Sequence, residues 1–404
     1  MTTTGSSSGG PRVRRRGLLG VGLGVGGLAL GAGGTVAVDR ALSPHEPDRL
    51  IPFHGAHQGG VETPLQAHGV FTAHDLRDGV DLAAATRLMR LVSDDAARLC
   101  RAEPAVNDQE PELARTPSRL TVTVGFGPGW FERLGLQDRV PTGFADLPSY
   151  EIDQLQRRWS GGDLLLQVCG DDALVVSHAV RQLSKTVRAF TTPRWVQRGF
   201  STPMSTPDSP TPRNLMGQID GTVNPRSGTD DFATVVWADR DAGVDWFAGG
   251  TMLVLRRIAM LMETWDELDP HGQELAVGRR IATGAPLTGQ QEHDQPDLNA
   301  TDHSGLPVIP KFSHIARAAH TDRGDRFLRR SYNYDEGVAE DGTADLGLLF
   351  AAYQANLTRQ YLPVQGRLAQ QDLLNEWTVP IGSAVFALPP GCGPDGFLGE
   401  GLLR

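Results

Sequence analysis

Twice along its length the sequence runs through the same order of elements, and that repetition limits the folds open to it more than any other feature. In the first half a strand over about residues 67–75 leads to a helix capped by Asp81. Leu82, Ala85, Met89, Val92, Ala96 and Leu99 then step by three and four, which makes one apolar helix stripe. The segment LTVTVGFG (120–127) alternates Leu120, Val122, Val124 and Phe126 with Thr121, Thr123 and Gly125, the period of a half-buried strand. A strand GDLLLQVCG (162–170) follows, then a helix capped by Asp172 with Ala173, Val176, Val180 and Leu183 inward, then a strand in AFTTPRWVQRGF (189–200). The second half repeats this: a strand over 249–261, a helix with Asp269 as cap and Pro270 in its first turn, and strands RFLRRSYNY (326–334) and LGLLFAAYQ (346–354). A helix in QQDLLNEW (370–377) and a strand SAVFALPPG (383–391) complete it.

Strand, helix, strand, strand, helix, strand is the split βαβ, or ferredoxin-like, unit. The expected class is therefore α+β, with two ferredoxin-like domains built on antiparallel sheets, over residues 50–210 and 211–404. The join between them, STPMSTPDSPTPR (201–213), is rich in Pro, Ser and Thr, as a domain boundary should be. A polar, proline-containing segment over 284–310 reads as a long loop, and loops of that length often carry function.

With 38 basic and 48 acidic residues the net charge is −10, which argues against nucleic acid as the main partner. The three cysteines, Cys100, Cys169 and Cys392, make neither a disulfide framework nor a zinc spacing. Residues 1–40 are of a different kind. Arg15-Arg16-Gly17-Leu18-Leu19 heads a glycine-heavy, weakly apolar run. It is too dilute for a stable membrane span and has the form of a twin-arginine export signal. A disordered basic tail is the other reading. Export by that route suits a protein that folds, and takes up a cofactor, before it leaves the cytoplasm, and places it outside the cell, in the cell wall or in the periplasm.

The stretch RNLMGQIDGTVNPR (213–226) sets Asp220 between Gly217 and Gly221. By itself this is a surface turn whose aspartate bonds its own backbone, or a turn that glycines bring close to a flat ligand with Asp220 aimed at it. His54, His57, His68 and His74 lack the companion residues of a metal cluster, and His178 falls mid-helix as a structural residue. His314, in KFSHIARAAH after the long loop, opens a short helix; it is either a core or capping residue or an imidazole with one nitrogen facing a cavity, as an axial haem ligand must be. Arg329 and Arg330 in FLRRSYNY alternate on a strand, so at most one faces the same cavity.

Taken together, these segments resemble the dye-decolourising peroxidase family, in its exported branch that includes the haem peroxidase/deferrochelatase of bacterial iron uptake. The likeness runs through PFHGAHQGGVETPLQAH (52–68), LTVTVGFGPGWF (120–131), GGDLLLQVCGDD (161–172), GQIDGTVNP (217–225), TGAPLTG (283–289), SHI (313–315), FLRRSYNY (327–334) and GSAVFALPPG (382–391). Gly217-Gln218-Ile219-Asp220-Gly221 matches the family's G-x-x-D-G signature.

The resemblance implies haem b (iron protoporphyrin IX) in a pocket of the C-terminal half, with His314 as axial ligand of the iron. Asp220 is then the distal acid/base and Arg329 the distal arginine. Gly221, Asn224 and Arg330 are expected at the cofactor, and Glu376 is expected to take the other nitrogen of His314. Many relatives read His-Ile-Arg at the proximal site, whereas Ala316 follows Ile315 here and Arg317 comes one position later. The implied activity is reduction of hydrogen peroxide through a high-valent oxo-ferryl haem, with oxidation of bulky dye-like or phenolic donors. Tyr332, Tyr334, Tyr361 and Trp377 are candidates to relay electrons from the surface. Release of iron from haem, or haem binding without turnover in an exported protein, are the alternatives; a hydrolase lacks any G-x-S-x-G elbow. A homo-oligomer is compatible with the resemblance.

Overall fold

The computed structural model describes residues 50–206, 208–320 and 324–404; the arginine-rich segment at the N-terminus lies outside them. The first half comprises β1 (His68–Leu76), α1 (Leu82–Cys100), β2 (Thr121–Phe126), β3 (Leu164–Gly170), α2 (Ala173–Val187) and β4 (Thr191–Phe200). The second comprises β5 (Thr251–Met260), α3 (Pro270–Val277), α4 (His314–Ala318), β6 (Leu328–Arg329), β7 (Tyr332–Val338), β8 (Ala344–Gln354), α5 (Leu357–Gln371) and β9 (Thr378–Leu388).

The helices start where a side chain can cap them. Asp81 Oδ1 accepts the Ala84 N–H at 2.7 Å, and Asp172 Oδ1 accepts those of Leu174 and Val175. The stripe of α1 buries Ala85, Leu88, Met89, Val92, Ala96 and Leu99, and each large member adds roughly 1.5–3 kcal/mol relative to exposure. Leu82, in the first turn, stays 39% exposed.

β6 and β7 are one strand in two pieces. Leu328 faces Tyr353 and Tyr332 faces Leu349 along the same edge of β8 without a change of register. Counted as one, the strands of the halves are ordered β4-β1-β3-β2 and β9-β5-β8-β7, the fourth-first-third-second order of a ferredoxin-like sheet. The expected α+β class and the two ferredoxin-like halves are thus what the chain forms.

Each half then closes on the other. β2 meets β9 at Phe126 and Ala387, and β4 meets β7 at Phe200 and Asn333, so eight antiparallel strands complete a ring. A glycine precedes the seam residue both times. A Cβ on Gly125 would lie 2.8 Å from Phe386 Cβ, and one on Gly199 would lie 2.5 Å from Tyr332 Cβ.

The ring corrects one expectation. β2 is buried on both faces, not half-buried, because its threonine face lies inside the ring. There Thr123 Oγ1 donates to Gly59 O at 2.6 Å, and Gln66 Nε2 donates to Thr121 Oγ1 at 3.0 Å, so the polar side is satisfied without water. A second correction concerns residues 370–377. The helix there is α5, which ends at Gln371, and only a single 3₁₀ turn, Leu373–Glu376, follows. Pro363 and Gly366 disguised α5 in the sequence, yet Asn356 caps it and Leu357, Tyr361 and Val364 bury one face, which outweighs local propensity.

Three apolar clusters result among the described residues. One lies under α1 and α2, one fills the ring around Phe71, Trp195, Tyr332 and Phe386, and one lies on the outer face of the second sheet. The third contains Met216, Met260, Trp265, Ala276, Val277, Leu348 and Leu374.

Candidate active site

The stretch 213–226 folds as a tight hairpin. Arg213 and Ile219 face each other as an isolated bridge, Asn214 N–H donates to Gln218 O, and Gly217 N–H donates to Asn214 O. Gly217 at φ +80° and Gly221 at φ +122° take the left-handed angles this path needs. Asp220 is held by its own N–H, which donates to Pro212 O at 2.9 Å. Its carboxylate does not bond its own backbone, as a plain surface turn would require. Instead Oδ1 lies 3.3 Å from Nε of Arg329, and both side chains are about one-fifth exposed.

Arg329 reaches that place because β6 pairs it with Ala352, which puts its side chain on the outer face of the sheet, beside Leu348 and Phe350. Asp220, Gly221, Thr222, Asn224 and Arg329 line one wall of a cavity of about 540 Å³, and Val61 to Leu65 with Met204 line another. Asn224, expected as a polar contact of the cofactor, has both ends of its carboxamide engaged by the main chain of Arg329.

Arg330, expected as a cofactor contact, lines the same cavity. It alternates to the ring side, where it is 4% exposed. Its guanidinium donates to Thr63 O at 3.3 Å, to Tyr332 Oη at 2.9 Å and to Gln66 Oε1. With these acceptors in place it braces the 61–66 wall of the cavity. Burial pushes the Tyr332 phenol well above its usual range. Nor are the relay candidates surface residues: Tyr332, Tyr334 and Tyr361 are at most 1% exposed, and Trp377 is half-buried, edge-on to Trp265 at 5.4 Å.

His314 is the first residue of α4, after the cap Ser313. Its Nδ1 donates to Asp372 Oδ2 at 2.6 Å, and Nε2 has no hydrogen bond among the described residues. The side chain is 30% exposed, whereas that of Asp372 is 4% exposed. The carboxylate that takes the second nitrogen of His314 is thus Asp372, not Glu376, which is exposed. The reason is local geometry. Asp372 stands where α5 ends, with its N–H on Leu368 O and its Oδ1 capping the Leu374 N–H, so it is fixed and inward, while Glu376 lies one turn further on. Both acids sit in DLLNEW, and only the fold chooses between them. Arg317 also finds its use. It donates to Arg367 O at 3.0 Å while Arg367 donates back to Arg317 O at 3.2 Å, which clamps α4 to α5.

His314 is not part of the cavity wall, but the two places share supports. Met216 of the hairpin, Ala276 and Val277 of α3, and Leu374 beside Asp372 belong to the same outer cluster. His320, shortly after α4, has its pKa lowered by burial and by the Arg326 and Arg329 cations, against an opposing pull from Asp325. Arg279, beyond α3, is likewise lowered by burial and by Arg329, with Glu292 acting against them. Residues from three segments, the Asp220 hairpin, Arg279 and His320, therefore feel the charge of Arg329.

The same regions carry the likeness to known proteins. Residues 58–201 match the N-terminal domain of the Dyp-type peroxidase family, and residues 211–393 match its C-terminal domain. A dye-decolorizing peroxidase of Thermobifida fusca is 38% identical over 386 residues, covering 91% of this chain and 89% of its own. A deferrochelatase of Yersinia pestis is 36% identical over 416 residues, covering 97% of this chain and 95% of its own. The crystal structure of a DyP-type peroxidase from Cellulomonas bogoriensis, 47% identical, superposes with a TM-score of 0.86 over 89% of this chain and 99% of that one. With both domains matched and the fold shared over nearly its whole described length, this chain belongs to the Dyp-type peroxidase family.

Proposed function

We infer that this protein is a haem-dependent peroxidase that reduces hydrogen peroxide and oxidises bulky dye-like or phenolic donors. Its residues fit the cofactor. His314 offers Nε2 for iron while Asp372 holds Nδ1, the arrangement that orients a ligating imidazole and makes it more electron-donating. At the rim of the outer cluster, which includes Leu374 two residues after Asp372, Ile258, Ile281 and Leu346 are only partly covered, an apolar surface suited to a porphyrin face.

Haem, when bound, supplies the redox-active iron that takes oxidising equivalents from peroxide and passes them to the donor. The protein supplies the proton movements. The Asp220 carboxylate accepts a proton from incoming hydrogen peroxide and returns it to the oxygen that leaves as water. Arg329, 3.3 Å from Asp220, stabilises negative charge as the O–O bond breaks.

The Asp220–Arg329 pair on the cavity wall is the observation that carries this reading, because a haem carrier needs only His314. The test is to load the protein without residues 1–40 with haem and to record absorption before and after one equivalent of peroxide. A spectrum that changes and returns as an added dye is consumed supports a peroxidase. Peroxide that only bleaches the haem, or metal-free protoporphyrin appearing on incubation, favours iron release from haem.

Two further proposals go with this. Residues 1–40 direct export by the twin-arginine route, supported by Arg15-Arg16 ahead of a glycine-heavy apolar run; replacing both arginines by lysine should retain the protein in the cytoplasm. The two halves are domains that meet near residue 210, a boundary supported by the Pro/Ser/Thr-rich join; limited proteolysis should cut there first.

A further inference from the structure

The long loop after α3 supports the Asp220 hairpin through one side chain. Glu292 Oε1 accepts the Thr211 hydroxyl at 2.7 Å and the Thr222 hydroxyl at 3.0 Å. The two threonines stand on opposite arms of the hairpin, and Asp220 lies between them in the chain. A single carboxylate oxygen therefore ties the arms together at the base, next to the bond from Asp220 N–H to Pro212 O. Neither hydroxyl donates elsewhere among the described residues.

Glu292 is itself fixed in place. Arg279 Nη1 donates to Glu292 O and to Gly284 O, both at 2.7 Å. Gly284 leaves room for the approach, since a Cβ there would lie 2.6 Å from Ile219 Cδ1 and 3.2 Å from Glu292 Cγ. On the other arm Arg213 donates to Ile281 O at 2.6 Å and to Ala282 O at 2.7 Å. Residues 279–292 are thus the seat of the hairpin. Glu292 is absent from the cavity wall; its hydrogen bonds to Asp220's hairpin run through Thr211 and Thr222, and the same oxygen lies 3.9 Å from Nε2 of His293.

We propose that Glu292 is a positioning residue for Asp220: by joining Thr211 to Thr222 it holds the Asp220 carboxylate where Arg329 and incoming peroxide meet it. This rests on the peroxidase reading of Asp220. Hydrogen bonds to a carboxylate are about twice as strong as those between neutral groups, and a displacement of about 1 Å at a reacting group can slow a reaction by up to about 100-fold.

The test uses Glu292→Ala, Glu292→Gln and Thr222→Val, with two readouts: the second-order rate constant of the haem-loaded protein with hydrogen peroxide, and amide hydrogen exchange over residues 211–224 before haem is added. Glu292→Ala should slow the peroxide reaction by roughly tenfold or more and speed exchange across the hairpin. Glu292→Gln, which keeps an acceptor oxygen, should restore both readouts towards wild type. In an Asp220→Asn background Glu292→Ala should bring no further loss, because the two changes act on one group. A Glu292→Ala protein that reacts as fast as wild type, or that loses as much rate in the Asp220→Asn background, overturns the proposal. If Glu292→Ala does not fold, Thr222→Val carries the same comparison. A wild type that binds haem but is inert to peroxide, while exchange still rises only in the alanine variant, removes the peroxidase reading and leaves the anchoring of the hairpin by Glu292 standing.

Discussion

Asn224 and Arg329, 105 residues apart, are joined twice through one carboxamide: Asn224 Nδ2 donates to Arg329 O at 2.7 Å, and the Arg329 N–H donates to Asn224 Oδ1 at 2.9 Å. The side chain does what a neighbouring strand would do for β6, whose other edge is paired to β8. Because Asn224 follows Asp220 by four residues, the two bonds tie the Asp220 hairpin to the main chain of Arg329. Asn224→Ala breaks both, and Asn224→Asp removes the donor end. Asn224→Ala should lower stability by about 1–3 kcal/mol and slow the peroxide reaction, as read by denaturant unfolding and stopped-flow mixing.

Asp220→Asn keeps the shape of the side chain and removes its ability to take a proton. The rate constant with hydrogen peroxide should fall by roughly 100- to 10,000-fold, while haem binding is retained. Arg329→Leu should cost on the order of 100- to 1,000-fold, the size of losing one preorganised donor to developing charge. Unchanged peroxide reactivity in both variants would remove the roles proposed for Asp220 and Arg329 and weaken the case against a haem carrier.

Within DLLNEW, Asp372, which bonds His314, and Glu376, which does not, give a clean contrast. Asp372→Asn should raise the ferric/ferrous potential, because the imidazole becomes less electron-donating, and should loosen haem retention by about 10- to 100-fold. Glu376→Gln, at an exposed position, should change neither. Spectroelectrochemistry of the two haem-loaded variants distinguishes them. Equal effects would return Glu376 to the role expected from the sequence.

His74, 2% exposed on β1, has its pKa lowered from 6.5 to about 4 because burial penalises the charged ring, with Asp75 opposing. Between those values the unfolded chain binds a proton that the folded protein refuses, so stability present above pH 6.5 is lost as the pH falls towards 4. The loss on going from pH 7 to pH 5 is about 2 kcal/mol. Replacing His74 by Gln should flatten this part of the stability curve, as measured by urea unfolding at the two pH values.

Much of the architecture is legible in the order of residues. Period-two and period-3.6 patterns, the caps Asp81, Asp172 and Asp269, and the repeated order of elements determine two ferredoxin-like halves, since backbone geometry sets which side chains share a face. The alternation of Arg329 and Arg330 follows from the same rule. Gly217 and Gly221 announce a tight turn around Asp220 because few other residues take its backbone angles.

Contacts between segments distant in the chain are a different matter. Local patterns carry no record of which hydroxyl, carboxylate or main-chain group arrives from a hundred residues away. Closure of the ring turned the threonine face of β2 inward and gave Arg330 a bracing role. The end of α5 brought Asp372 to His314 and left Glu376 in solvent, although both belong to one short segment. The Asp220 hairpin is tied down by Asn224 and by Glu292, in a loop whose sequence shows only that it is polar. The sequence by itself determined the elements and the chemical types at the site; the tertiary structure decided their partners, because hydrogen bonds and ion pairs depend on separations of a few ångströms that only packing sets.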